Sequence, residues 1–154
     1  MKVEIETLKD RQQEEQARLQ IFEMTPTIED AVALLRGDRW LFEAKNIQTE
    51  AIVKLKFSQV MYAEYLERNM FLYTKEDTYS LRISLANFLK DCPDSFVQIS
   101  KSVVVNLQAI QSFAGTTGGN LQIVMLSAEK LIVNRRYVKK LKEALIETAR
   151  SNRM

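Results

Sequence analysis

The chain has 154 residues and a mass of 17.8 kDa, which fits one ordinary domain with a small extension and excludes a two-domain enzyme of usual size. With 46% hydrophobic and 27% charged residues, four Gly and two Pro, it has the composition of a chain that buries a core, not of a disordered or collagen-like one. Net charge is only +2 but uneven: residues 1–50 hold 7 Lys+Arg against 11 Asp+Glu, and residues 51–154 hold 15 against 9, so the second part is the one that attracts polyanions such as nucleic acid. The absence of histidine removes a His general base, a His metal ligand and a phosphorelay histidine. The lone Cys92 removes an intramolecular disulfide and a cysteine-rich zinc site, and fits a reducing compartment. No apolar run reaches the roughly 18 residues of a membrane span, and the charged start MKVEIETLKDRQQEEQ lacks a signal-peptide core, so a cytoplasmic protein is expected.

Lys2 to Leu8 alternates apolar and polar residues and predicts a half-buried strand; Ala17 to Met24 predicts a second. A helix from Ile28 to Arg36 follows, started either by Thr25 before Pro26 or by a capping box of Thr27 and Asp30, and ended by Gly37. Residues 1 to about 45 therefore predict a β-β-α-β extension. Short strands then dominate: Ala51 to Lys56, Val60 to Leu66, Met70 to Thr74, Tyr79 to Ile83, Phe96 to Val105, Leu121 to Leu126 and Lys130 to Val133. Lys75-Glu76-Asp77 predicts a hairpin tip and Gly115 to Asn120 a loop. Helices are expected over Leu85 to Asp91, with Pro93 just beyond, and over about Arg135 to Ala149. The fold class is mainly β with short helices, α+β.

Nothing in the chain reads as catalytic machinery. Gly115 to Gly119 lacks the Lys-Ser/Thr of a phosphate loop, and Glu14 with Glu15 reads as a solvated surface. Three polar clusters carry more information. In Phe96 to Asn106 an unbroken strand would put Lys101 on one face with Val97, Ile99, Val103 and Val105, and burying an unpaired ammonium costs several kcal/mol, roughly. The strand is therefore expected to break at Ser100-Lys101-Ser102 and project the lysine outward. In Asn134-Arg135-Arg136-Tyr137-Val138-Lys139-Lys140, Asn134 is the expected N-cap, which puts two arginines where the helix dipole disfavours cations by about 0.3 to 1 kcal/mol. An anion at the helix start would compensate, meeting free N–H groups and two guanidinium forks. Glu67-Arg68-Asn69, at a strand junction, reads by itself as a turn.

In this order the clusters resemble the LytTR family of bacterial DNA-binding domains. FVQISKSVVVNLQAI, Phe96 to Ile110, is similar to the family's central signature; LIVNRRYVKKL, Leu131 to Leu141, to its second block; and Val60-Met61-Tyr62-Ala63-Glu64 followed by Glu67-Arg68-Asn69 to its first. The resemblance covers residues from about 50 to 147. It implies an elongated β-fold whose loops, not a recognition helix, read successive major grooves of promoter DNA. It places Lys101 and Arg136 at base-reading positions and Arg68 and Asn69 beside a third, held here by Met70. Ser100, Ser102, Asn134, Arg135 and Lys139 fall where phosphates would be held, since phosphate contacts position and base contacts specify. Asn106, closing a strand before a turn from Leu107 to Ile110, is assigned to structure. Departures are Ser100 for the usual histidine, Lys101 for arginine, Asn134 for serine, and no Gly at Ser127-Ala128-Glu129. The resemblance implies double-stranded DNA as partner, no cofactor, no small-molecule substrate and no enzymatic activity. Residues 50–150 would form the DNA-binding domain. Residues 1–49 would be an extension for dimerisation or partner binding, with a homodimer expected. The chain resembles the stand-alone branch of the family, whose members are often found with a small membrane protein that antagonises them.

Overall fold

A computed structural model describes residues 1–35 and 43–151, with side chains through residue 147. The chain divides into two compact units, residues 1–36 and residues 37–154, each described by itself.

Among the described residues of the first unit the only regular element is α1, Pro26–Leu35. Of the two starts open in the sequence, Thr25 is the cap: its Oγ1 accepts from the Ile28 N–H at 3.3 Å and its carbonyl from the Glu29 N–H at 2.9 Å, with Pro26 at the first helical position. The two strands expected over Lys2 to Leu8 and Ala17 to Met24 do not form. A turn at Asp10, whose carboxylate accepts from Gln12 N–H at 2.9 Å, brings the two segments to face each other, but they exchange no ladder hydrogen bonds. An isolated two-stranded hairpin is at best marginal in water, and alternation alone supplies no third strand. Gly37, the expected helix stop, lies outside the described residues.

The second unit is built on a seven-stranded antiparallel sheet. Its strands are β1 (Ala44–Asn46), β2 (Ile52–Val53), β3 (Val60–Leu66), β4 (Asn69–Thr74), β5 (Thr78–Leu81), β6 (Phe96–Gln98) and β7 (Val103–Asn106), in the spatial order β2-β1-β5-β4-β3-β7-β6. A second sheet of β8 (Ile110–Gly115), β9 (Leu121–Met125) and β10 (Lys130–Val133) has the order β10-β9-β8. Helix α2, Leu85–Asp91, is capped by Ser84 Oγ accepting from Asn87 N–H, and α3, Arg135–Ser151, follows β10. Strand β8 was not legible in the sequence: Ile110–Gly115 is largely exposed and has no period-two apolar pattern.

Strands β3, β6 and β7 are buried on both faces, which explains their near-continuous apolar sequence. One face carries Val60, Ala63, Met70, Leu72, Phe96 and Val104 against α2, where Phe57, Phe88 and Phe96 meet edge to face at 5.7 to 6.1 Å between centroids. The other carries Met61, Tyr62, Val97, Ile99 and Val105 against Leu121, Ile123, Met125, Val133 and Leu141 of the second sheet and α3. A bulge between Val60 and Tyr62 lets the consecutive residues Met61 and Tyr62 both enter this second core, with Val60 and Ala63 on the other face. Asn106 is structural: buried between the strands, it donates from Nδ2 to the Val60 carbonyl at 3.0 Å and accepts at Oδ1 from Gln108 N–H at 3.1 Å, capping a 3-10 turn over Leu107–Ala109.

The β9–β10 turn is tied back to β3 by the Tyr62 hydroxyl, which donates to the Glu129 carboxylate while its ring stacks on Tyr73 at 4.4 Å. Burial raises the Tyr62 phenol well above its ordinary value, and the Glu129 hydrogen bond and charge add to this. A raised folded value means that this contribution to stability is complete below the unfolded phenol value, about 10, and is lost as pH rises beyond it. Alkaline unfolding followed by circular dichroism should be steeper above that pH for the wild type than for Tyr62→Phe, which has no phenol to ionise there.

The same turn holds Ala128 at φ 71°, in the left-handed region that glycine occupies without penalty. Ala128→Gly should therefore stabilise the chain by about 0.5 to 1 kcal/mol in urea unfolding, the left-handed cost of alanine exceeding the added backbone entropy of glycine.

Candidate nucleic-acid interface

The β3–β4 connection is a two-residue hairpin closed by Leu66 opposite Asn69. Glu67 at φ 50° and Arg68 at φ 67° are both left-handed, the geometry of the primed turns that match strand twist. Such a turn favours Asn-Gly; with Glu-Arg each residue costs roughly 1 to 2 kcal/mol. The guanidinium of Arg68 is held at an exposed tip by a strained backbone, and Asn69 Nδ2 donates to the Glu67 carbonyl at 3.1 Å to brace it. Met70 does not reach this surface. Alternation along β4 turns Met70 and Leu72 into the core, and Met70 is 0% exposed, so a contact to DNA through its side chain is ruled out.

The break expected in the central cluster is present: β6 ends at Gln98 and β7 begins at Val103. The turn is closed by Ile99 N–H donating to the Val103 carbonyl at 2.9 Å, and inside it Ser100 Oγ accepts from the N–H groups of Ser102 and Val103 at 3.3 and 3.1 Å. Ser100 thus shapes the turn and has only its hydroxyl proton left to offer. Lys101 is exposed at the tip, and Ser102 is half-buried beside it.

At the start of α3 the cap differs from the sequence expectation. The side chain that accepts from the Arg135 N–H is Asn120, at 2.9 Å, reaching from the β8–β9 loop; the Asn134 carbonyl accepts from Tyr137 N–H at 2.8 Å. This leaves the Asn134 amide on an exposed residue ahead of the helix. The stem of Arg135 lies over Gly119, which has φ +81°; a Cβ there would sit 3.0 Å from Arg135 Cδ. Arg136 is exposed in the same first turn, and Lys139 follows one helical turn later on its side of the helix.

Main-chain bonds join these turns into one rim. Tyr65 N–H, at the end of β3, donates to the Ser102 carbonyl at 2.7 Å, and Asn134 N–H donates to the Ile99 carbonyl at 2.9 Å. The β3–β4 turn, the Lys101 turn, the α3 start and the Asn120 loop therefore share one end of the sheet. One more cation reaches this edge: Leu81 pairs with Met70, so exposed Arg82 leaves β5 where β4 begins. Nothing in the sequence marked Arg82, because only the strand register places it beside Asn69. Among the described residues, no carboxylate oxygen lies within 4 Å of the side-chain nitrogens of Arg68, Arg82, Lys101, Arg135, Arg136 or Lys139. The other end of the strands carries Lys75, Glu76 and Asp77 on the hairpin tip, which line a cleft of about 830 Å3 together with Leu55, Asn106 and Leu126, and Glu129 on the β9–β10 turn.

The model of the LytTr DNA-binding domain matches residues 50–146. The chain belongs to the LytTR family. A LytTr DNA-binding domain from Bacillus cereus has the same fold, with a TM-score of 0.61 and 24% identity, covering 68% of this chain and 98% of that domain. Proteins named as uncharacterized HTH-type transcriptional regulators in Staphylococcus aureus strains bovine RF122 and MRSA252 are 28% and 26% identical over 91 residues, 59% of this chain. The matched part spans 62% of the length of those relatives. In this chain five strands separate α2 from α3, so those two helices do not form a helix-turn-helix.

Other chemistry has little footing. Cys92, half-buried at the end of α2, donates from Sγ to the Leu89 carbonyl at 3.4 Å, and burial pushes its thiol up to about 11. Among the described residues there is no group of three or more Cys, Asp or Glu able to hold a metal ion, and no helix is long and apolar enough to cross a membrane.

Gly119→Ala should displace the Arg135 stem and force alanine into a left-handed backbone, destabilising by about 1 to 2 kcal/mol in urea unfolding. Gly115→Ala, where a Cβ meets nothing within 4 Å, should be close to neutral.

Proposed function

We propose that this protein is a sequence-specific transcriptional regulator that lays duplex DNA across the rim of turns at the Lys101 end of the sheet, as a pair of protomers on repeated promoter sites. The observation that carries this reading is the set of exposed cations fastened along one edge by main-chain hydrogen bonds, with no carboxylate oxygen within 4 Å of them among the described residues. A structural role for the arginines of α3 would bring a carboxylate to them; an anionic ligand supplies the missing counter-charge at a helix start that already favours anions.

In this reading Arg136 presents its planar fork to the O6 and N7 acceptors of guanine in one major groove. Arg68 and Asn69 enter the next, and Lys101 lies between as a point charge, which discriminates bases less sharply than a fork. Ser102, Asn134, Arg135 and Lys139 hold phosphates, with Arg82 joining them at the β5 edge. Ser100 contributes by shaping the Lys101 turn, and Met70 is left out because it is buried. Residues 50–150 carry this DNA-binding role, and residues 1–49 serve dimerisation or partner binding. The protein acts in the cytoplasm without enzymatic activity, and a small membrane protein antagonises it. These last points rest on the resemblance to stand-alone members of the family.

Fluorescence anisotropy with duplexes from the chain's own upstream region tests the reading. Arg136→Ala should cost about 1 to 3 kcal/mol on the preferred sequence and relax selectivity, whereas Lys139→Ala should weaken preferred and random duplexes alike. With on the order of five phosphates neutralised per protomer, log affinity should fall with log salt at a slope of about −4 to −5. Equal losses on preferred and random duplexes for Arg136→Ala would refute its base-reading role.

A further inference from the structure

The unit of residues 1–36 does not bury its own apolar side chains. Ten large ones are at least a third exposed, among them Val3, Ile5, Leu19, Ile21 and Phe22, and only Ile28 is buried. Exposure on this scale in so short a stretch marks an interaction surface. Lys2 to Leu8 alternates as a strand does, yet its N–H and C=O groups join no ladder, which leaves a template for an added strand. It faces Gln16 to Ile21 across a cleft of about 850 Å3 lined by Val3, Ile5, Leu19 and Ile21.

The charge pattern selects the occupant. Lys2, Glu4 and Glu6 share one face of the segment, where Lys2 Nζ lies 2.5 Å from the Glu4 carboxylate as an exposed and therefore weak ion pair, and Val3 and Ile5 share the other. Laid antiparallel on a second copy about a two-fold axis at Glu4, Lys2 stands opposite the partner's Glu6 and Val3 opposite the partner's Ile5, each twice. One like-charge pair, Glu4 opposite the partner's Glu4, is the cost. Opposite charges directly across an antiparallel pair attract and like charges repel, so the register is favoured by two pairs against one. A register centred on Ile5 puts Glu4 opposite the partner's Glu6 twice and sets Leu8 opposite Lys2; one centred on Val3 also gives two attractive pairs, Lys2 opposite the partner's Glu4, but pairs only Lys2 to Glu4 of the segment.

We propose that Lys2 to Leu8 is a dimerisation strand that pairs antiparallel with the same segment of a second copy, Val3 and Ile5 of both copies closing over the apolar cleft with Leu19 and Ile21. This rests on the paired-protomer reading above and names its surface. It gives the exposed residues their cover and the segment its missing ladder partner.

Sedimentation equilibrium of the full chain tests this, with single-site duplex binding measured in parallel. The wild type should dimerise. Lys2→Glu, which turns two attractive pairs into repulsive ones, should weaken the dimer by about tenfold, and adding Glu6→Lys should restore it to within about twofold. Glu4→Cys in a Cys92→Ser background should oxidise to a covalent dimer, since directly opposed residues lie within disulfide reach, while Ile5→Cys should not. A wild type that stays monomeric, a Lys2→Glu variant that dimerises as well as wild type, or a double swap that fails to recover would overturn the proposal. Single-site affinity should be unchanged in every variant. A chain that dimerises as described yet binds no duplex refutes the DNA reading and leaves the strand pairing standing.

Discussion

Two main-chain hydrogen bonds set the geometry on which the rest depends: Tyr65 N–H to the Ser102 carbonyl and Asn134 N–H to the Ile99 carbonyl. Neither involves a side chain, so the fastening is indifferent to what the turns display. It brings a hairpin near residue 68, a turn near residue 101 and a helix start near residue 135 to one edge. The display residues, Arg68, Lys101 and Arg136, are then free to vary in chemistry without moving the frame. Side chains that do hold the frame are small: Ser100 inside its turn, Asn120 under the helix start, Asn69 under the hairpin.

The frame stays rigid because the strands beneath it are packed on both sides. Val104 and Phe96 face the α2 core while Val105 and Val97 face the second sheet, so the turn between β6 and β7 cannot shift without disturbing both cores. That rigidity makes the strain at Glu67 and Arg68 tolerable. Two residues in left-handed backbone persist only where the surroundings over-determine them, and strain of this kind gathers at functional sites. The rim displays Arg68, Arg82, Lys101, Arg135, Arg136 and Lys139 with one carboxylate, Glu67, in its hairpin turn, whereas the far end mixes Lys75 with Glu76, Asp77 and Glu129.

Much of this was legible in the sequence, for reasons that can be named. Lys101 in a row of Val and Ile forced a break, because an unpaired ammonium does not fit a buried face, and the strands do stop on either side of it. Helix α2 was visible in its apolar spacing and Pro93, and Asn106 in its place at a strand end. Legibility failed where the deciding partner is distant. Asn120 caps α3 from fifteen residues away, and Arg82 joins the rim only through the register of β4 and β5. Met70 was placed by motif position, whereas strand alternation puts it in the core. The expected hairpin of the first unit followed from alternation alone, which cannot supply the neighbour that a strand requires.

The central claim is that the turns near residues 68, 101 and 135 meet one ligand as a single surface. Amide chemical-shift perturbation during titration with a promoter duplex tests this most directly. Amides of Arg68, Asn69, Lys101, Ser102, Gly119, Arg135 and Arg136 should shift together with one dissociation constant, while Glu76, Asp77 and Gln108 at the far end stay in place. Shifts centred on the far end, or rim turns that respond with separate affinities, would contradict it.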